Sequence, residues 1–141
     1  MKEFVPFITE HWVLSVLWIA CLAMLLVNEF LQNRLGAKNI TPEQAIQLIN
    51  HQNAVVLDIR SDSVFAEGHI LGAEHVVGQR LEKKIKNLHK HIEKPIIIVC
   101  ATGRDSPKLA AELQQKGFVQ TVVLNGGMQA WKAVGLPLVK S

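Results

Sequence analysis

The chain has 141 residues, a formal net charge of +3 and a hydrophobic fraction of 49%, which suits one domain of ordinary size plus an appendage. Its two cysteines, Cys21 and Cys100, are too few for a disulfide framework and too differently placed to act as a redox pair. A charge this modest, with no aromatic residues interleaving the basic ones, argues against nucleic-acid binding.

Residues 1–11 read as a short N-terminal segment in which Lys2 is offset by Glu3 and Glu10. From Trp12 to Asn28 no charged residue occurs. That run rises about 26 Å as a helix, and Phe30 and Leu31 extend it toward bilayer thickness. Trp12 and Phe30 stand where interfacial aromatics are expected. The pattern predicts one transmembrane helix over 12–31, with Cys21 packing against lipid or a neighbouring helix. A cleaved signal peptide needs a basic start and a small-x-small site, and neither is present. A core helix of a small domain has no need to be apolar all round.

From residue 40 onward twelve Lys and Arg face nine Asp and Glu, so this part carries the whole net charge. Basic segments are retained on the cytoplasmic side. The expected arrangement is a single-pass membrane protein with its amino terminus outside and its domain in the cytoplasm.

A polar linker is expected over 32–39, then a domain over 40–138. Thr41 and Gln44 form a capping box with Pro42 at the first helical position. Val55 to Ile59 reads as a buried strand. Arg60 to Ala73 reads as loop with a helical turn around Phe65, and Ala73 to Val77 as a short strand. Arg80 to Lys94 reads as a basic helix with Leu81, Ile85, Leu88 and Ile92 on one stripe, closed by Pro95. Its local charge of +4 suits a solvated covering helix, or one that rests on anionic lipid or an acidic partner. Ile96 to Val99 is the central strand. A helix over Pro107 to Lys116 ends at Gly117, Val122 to Leu124 is the last strand, and a helix carrying Trp131 follows Asn125-Gly126-Gly127. Apolar strands alternating with helices argue for an α/β fold with a parallel sheet covered on both faces.

Chemistry concentrates at Cys100-Ala101-Thr102-Gly103-Arg104-Asp105-Ser106-Pro107. A buried strand delivers Cys100 to the carboxyl edge of the sheet, where open α/β sheets place their functional crevice. The loop amides can curl around the sulfur, and the helix opening at Ser106-Pro107 directs its positive end there. A free thiol near pKa ~8.5 is only a few per cent ionised at neutral pH. Each unit of lowering takes about 1.4 kcal/mol of preferential anion stabilisation, within reach of several amide donors.

Val56-Leu57-Asp58-Ile59-Arg60, Phe65 and Gly68-His69-Ile70-Leu71-Gly72-Ala73-Glu74-His75-Val76 together resemble the amino-terminal signature of rhodanese domains. Cys100-Ala101-Thr102-Gly103 resembles the start of their active-site loop. Gly117-Phe118, Leu124-Asn125-Gly126-Gly127, Trp131 and Gly135-Leu136-Pro137 resemble their carboxyl-terminal pattern. With its anchor, the chain is similar to membrane-anchored single-domain rhodaneses of bacteria. The resemblance implies a five-stranded parallel sheet flanked by helices, and sulfurtransferase activity through a persulfide on Cys100. The donor would be thiosulfate or a low-molecular-weight persulfide, the acceptor a thiol or cyanide, with no metal or organic cofactor. Ala101, Thr102, Gly103, Arg104, Asp105 and Ser106 would hold the substrate, with Arg60 as a further candidate. Other expected partners are the bilayer and another membrane or sulfur-carrier protein.

One position departs from the family. The sixth loop residue, commonly basic or hydroxylic, is Asp105, whose carboxylate disfavours an anionic donor such as thiosulfate. A tyrosine-phosphatase-like reaction needs Arg six positions after the cysteine, where Ser106 stands. The alternative within the family is a non-catalytic module that binds a partner at the membrane. His69, His75, His89 and His91 lack cysteine or carboxylate partners at ligand spacing. Asp58, Arg60 and Glu67 suggest a structural polar network.

Overall fold

A computed structural model describes residues 11–141; the expected N-terminal segment, apart from His11, lies outside the described residues. The chain divides into two compact units at Leu35 and Gly36. The first contains helix α1 (Trp12–Leu35). Within it Trp12–Leu31 has a mean hydropathy of 2.1, and twenty residues rise about 30 Å, long enough to cross a bilayer. Leu17, Trp18, Met24 and Leu25 are all exposed, so the helix has no single apolar stripe of the kind that packs into a core. Helicity continues past the apolar run into the stretch expected as linker.

The second unit holds five parallel strands in the order β1-β5-β4-β2-β3. They are β1 (Lys38–Ile40), β2 (Val55–Asp58), β3 (Glu74–His75), β4 (Ile96–Val99) and β5 (Thr121–Leu124). The helices between them are α2 (Pro42–Gln52), α3 (Asp62–Glu67), α4 (Gln79–Leu88), α5 (Ser106–Gln115) and α6 (Gly127–Ala133). Central β4 is buried along its whole length, and its residues alternate between two cores as strand geometry requires. Ile96 and Ile98 join Leu57, Val123, Ile85, Leu88, Leu113 and Phe118 under α4 and α5. Ile97 and Val99 join Val56, Leu124, Ala45, Met128 and Trp131 under α2 and α6.

Local chemistry sets the boundaries. The capping box forms: Thr41 Oγ1 accepts from the Gln44 amide at 3.3 Å, and Gln44 Oε1 accepts from the Thr41 amide at 3.0 Å. Helix α2 closes at Asn53 in the left-handed conformation.

Two elements differ from the sequence reading. Lys38 and Asn39, expected as linker, belong to edge strand β1, with Lys38 opposite Val122 and Ile40 opposite Leu124. Only Ile40 of the three is buried, so no apolar alternation marks the strand. The basic helix expected over 80–94 ends as α4 at Leu88, and a 3₁₀ turn (His89–His91) follows. Pro95 disfavours helical backbone before it, which leaves Lys94 in a turn.

Candidate active site

All five strands end on one edge, and Cys100 follows β4 there. The Gly103 amide donates to its sulfur at 2.9 Å, closing the loop 101–105 into a half-ring that runs straight into α5. Ser106, the first residue of α5, is fully buried, and its hydroxyl has no hydrogen-bond partner of its own among the described residues. It stands close enough to the sulfur to favour the anion. Burial pushes the Cys100 thiol up. The Ser106 hydroxyl and the amides of Asp105, Ser106 and Thr102 oppose that push and more than offset it, holding the thiol below its ordinary value.

The loop is held from behind by α6. The Met128 amide donates to the Cys100 carbonyl at 2.8 Å, and the Gln129 amide donates to the Ala101 carbonyl at 3.1 Å. These bonds turn the loop carbonyls toward α6 and so away from the sulfur. Gly127, at φ +58°, makes the approach possible: a Cβ there would lie 2.2 Å from the Cys100 carbonyl oxygen and 2.9 Å from the Gly103 nitrogen. Met128 and Gln129, which sequence reasoning did not single out, and Gly127, read there only as part of the carboxyl-terminal pattern, all stand against the loop. The double glycine after Leu124 is the one available signal, and it reads equally well as a turn.

The remaining candidates separate by position. Ala101, Thr102 and Arg104 are exposed on the loop. Asp105 is also exposed, and it lines a groove of about 240 Å³ with Ile59, Gly78, Leu81, Lys108 and Glu112. Arg60 is occupied elsewhere. Its Nη2 donates to Asp58 Oδ2 at 2.6 Å and to the Gly68 carbonyl at 2.8 Å, and its Nε donates to Asp58 Oδ1 at 2.9 Å. Both side chains of this ion pair are nearly inaccessible. The pair therefore ties the end of β2 to the following loop, while Glu67 is exposed outside it.

The histidines have separate packing roles. His69 stacks on Phe65 at a centroid distance of 3.9 Å and contacts the Phe65 carbonyl through Nδ1 at 2.9 Å. His75 stacks on the same ring and reaches the Arg60 carbonyl at 2.6 Å. His89 packs against Phe118.

Residues 41–134 match the family model described as Rhodanese-like domain. The chain is 36% identical to the uncharacterized protein YibN of Escherichia coli strain K12 over 99% of both lengths. It is 38% identical to the thiosulfate sulfurtransferase GlpE of Pseudomonas putida strain F1, over 68% of this chain and 86% of that one. The crystal structure of a thiosulfate sulfurtransferase from Pseudomonas aeruginosa superposes with a TM-score of 0.65 at 25% identity. That match covers 74% of this chain and spans only 20% of the larger protein.

Proposed function

The chain belongs to the rhodanese-like family, and on that premise we propose that it is a membrane-anchored sulfurtransferase whose sulfur carrier is Cys100. The observation that carries this reading is the sulfur's setting: buried enough to be selective, yet surrounded by amide and hydroxyl donors that favour the thiolate. A thiolate attacks the outer sulfur of a donor R–S–SH. The donor's sulfur–sulfur bond breaks, the thiol RSH leaves, and Cys100 becomes a persulfide. With thiosulfate the leaving group is sulfite. The amides of Thr102, Gly103 and Asp105 and the Ser106 hydroxyl then hold the terminal sulfur, and an acceptor thiol or cyanide removes it. The cycle asks for no metal or organic cofactor.

Asp105 supports a persulfide as donor over thiosulfate, because a carboxylate at the loop repels a dianion more than a monoanion. Arg60, committed to Asp58 and Gly68, acts by fixing the loop after β2 rather than by touching substrate. Residues 12–31 serve as the single span, and the domain that edge strand β1 opens at Lys38 carries the catalysis. The length and all-round exposure of the apolar run support the span. The basic balance of the domain supports a cytoplasmic location with the amino terminus outside.

The test is intact mass spectrometry of the full chain in detergent after incubation with glutathione persulfide or thiosulfate. A gain of one sulfur atom, lost on cyanide treatment and absent in Cys100→Ser, is the expected result. A folded wild-type chain that gains no sulfur from either donor would favour the non-catalytic module instead.

A further inference from the structure

Parallel strands give the domain two unlike edges. Cys100, the active loop and the start of α5 occupy the carboxyl edge. The opposite, amino edge carries two exposed apolar side chains on adjacent turns: Ile92, 39% exposed, and Val119, 73% exposed. The turns are joined, since Gln120 Nε2 donates to the Glu93 carbonyl at 3.1 Å. Ile92 also reaches over Gly117, where a Cβ would lie 3.6 Å from its Cδ1. Lys90 and the half-buried Lys94 stand two positions either side of Ile92 in the chain, and Lys38 opens β1 on the same edge. None of these three lysines is in an ion pair among the described residues. The acids nearby are Glu93, which is exposed, and Glu112, which Lys116 neutralises at 3.0 Å. Cations therefore outnumber acids around the apolar tips.

The chain joins the domain at this same edge. Lys38 pairs opposite Val122, which brings Gly36 and Ala37 alongside the Val119–Gln120 turn. Five residues lead from Leu31, the last residue of the apolar run, to Gly36. Extended chain reaches at most ~3.6 Å per residue, so an anchored chain keeps this edge within about 20 Å of the bilayer. We propose that the amino edge is a docking surface for an anionic bilayer, with Ile92 and Val119 entering the interface and Lys38, Lys90 and Lys94 meeting lipid headgroups. The proposal rests on the anchored reading of residues 12–31. Exposed aliphatic tips ringed by unpaired lysines fit a lipid interface, where the apolar ends enter hydrocarbon while the ammonium groups stay at phosphate level. An acidic protein surface would satisfy the lysines but leave those tips without a use.

The consequence is directional. Four residues of β4 span about 13 Å, and they separate the docked edge from Cys100. The reacting sulfur then faces water, so donor and acceptor are soluble molecules rather than membrane-borne ones.

The experiment places an environment-sensitive fluorophore at Val119→Cys, or at Ile92→Cys as an independent second probe, in the full chain lacking Cys21 and Cys100. The chain is reconstituted into phosphatidylcholine vesicles, with or without phosphatidylglycerol, that carry lipid-linked nitroxide. A label at Val77→Cys, on the catalytic edge, is the reference. Quenching at the amino edge is expected only with anionic lipid, is reversed by high salt, and is absent at Val77. Each lysine near an anionic surface strengthens contact about fivefold. Neutralising Lys38, Lys90 and Lys94 to Gln should therefore cut the docking equilibrium constant about a hundredfold.

Equal quenching at both edges overturns the proposal. So does an unquenched amino edge in a chain that resists alkaline extraction. A chain released by alkaline extraction would bring down the anchor itself, and the extraction step reports that separately from the quenching.

Discussion

Replacing Gly127 by alanine tests whether this first residue of α6 is the backstop of the active loop. The new Cβ would sit 2.2 Å from the Cys100 carbonyl oxygen and 2.9 Å from both the Ala101 carbonyl carbon and the Gly103 nitrogen. Carbon–oxygen contacts need about 3.3 Å, so the loop must retreat by about 1 Å. Two costs add to that movement. Alanine at φ +58° loses about 1–2 kcal/mol of backbone energy. The bonds from Met128 and Gln129 to the loop carbonyls, at 2.8 and 3.1 Å, contribute about 1 kcal/mol each. A total near 3–4 kcal/mol lowers the domain's melting temperature by roughly 15–25 °C. A 1 Å displacement of the sulfur costs about a hundredfold in rate. The reference is Gly72→Ala, which has φ +78° but no atom within 4 Å of its Cβ. It should lose only the same backbone cost of about 1–2 kcal/mol and load sulfur at the wild-type rate. Thermal melts and the initial rate of persulfide formation by mass spectrometry separate the two variants. A Gly127→Ala chain that melts and loads like Gly72→Ala would refute the buttress.

Three further outcomes follow from the same geometry. With Cys21 replaced by Ser, the alkylation rate of Cys100 should rise with pH about a midpoint below that of a free thiol; Ser106→Ala should move the midpoint up, slow the reaction at neutral pH, and converge with wild type above both midpoints. By the same sign, a depressed folded pKa adds stability above the unfolded thiol's pKa that is lost as pH falls through the folded value; superimposable alkylation profiles would show that the hydroxyl does not act on the sulfur. Asp58→Ala leaves the Arg60 guanidinium buried without its partner and should cost about 3–5 kcal/mol, whereas Asp58→Ala with Arg60→Met should melt higher than the single variant. Asp105→Ser should favour thiosulfate over glutathione persulfide: one charge about 6 Å away in a water-like dielectric costs a dianion about 1.4 kcal/mol and a monoanion about half that, so the donor ratio should shift about threefold, and an unchanged donor ratio would clear Asp105 of that role.

The parts of the molecule legible in the sequence are those fixed by contiguous residues. Ile96 to Val99 is a run that only a doubly covered strand can bury, and the structure divides its side chains between two cores. Thr41 and Gln44 announce a helix start within four residues, and both reciprocal bonds form. The placement of Cys100 at the carboxyl edge is legible because the strand before it and the helix after it are both local. What escapes is set by contacts between distant segments. Edge strand β1 has a single buried residue, and its identity depends on the register with β5, about eighty positions away. Gly127 looks like any turn glycine until its distance to the Cys100 carbonyl is measured. Arg60 has the charge expected of an anion-binding group, and only its bonds to Asp58 and Gly68 reveal that the charge is already spent within the fold. The same reasoning assigns the anion-stabilising work at Cys100 to neutral donors. Backbone amides and a buried hydroxyl favour a thiolate without a fixed positive charge that would hold a departing sulfite or persulfide anion. A loop built this way suits a sulfur that must be accepted and then surrendered, and it asks for no cation at position 105.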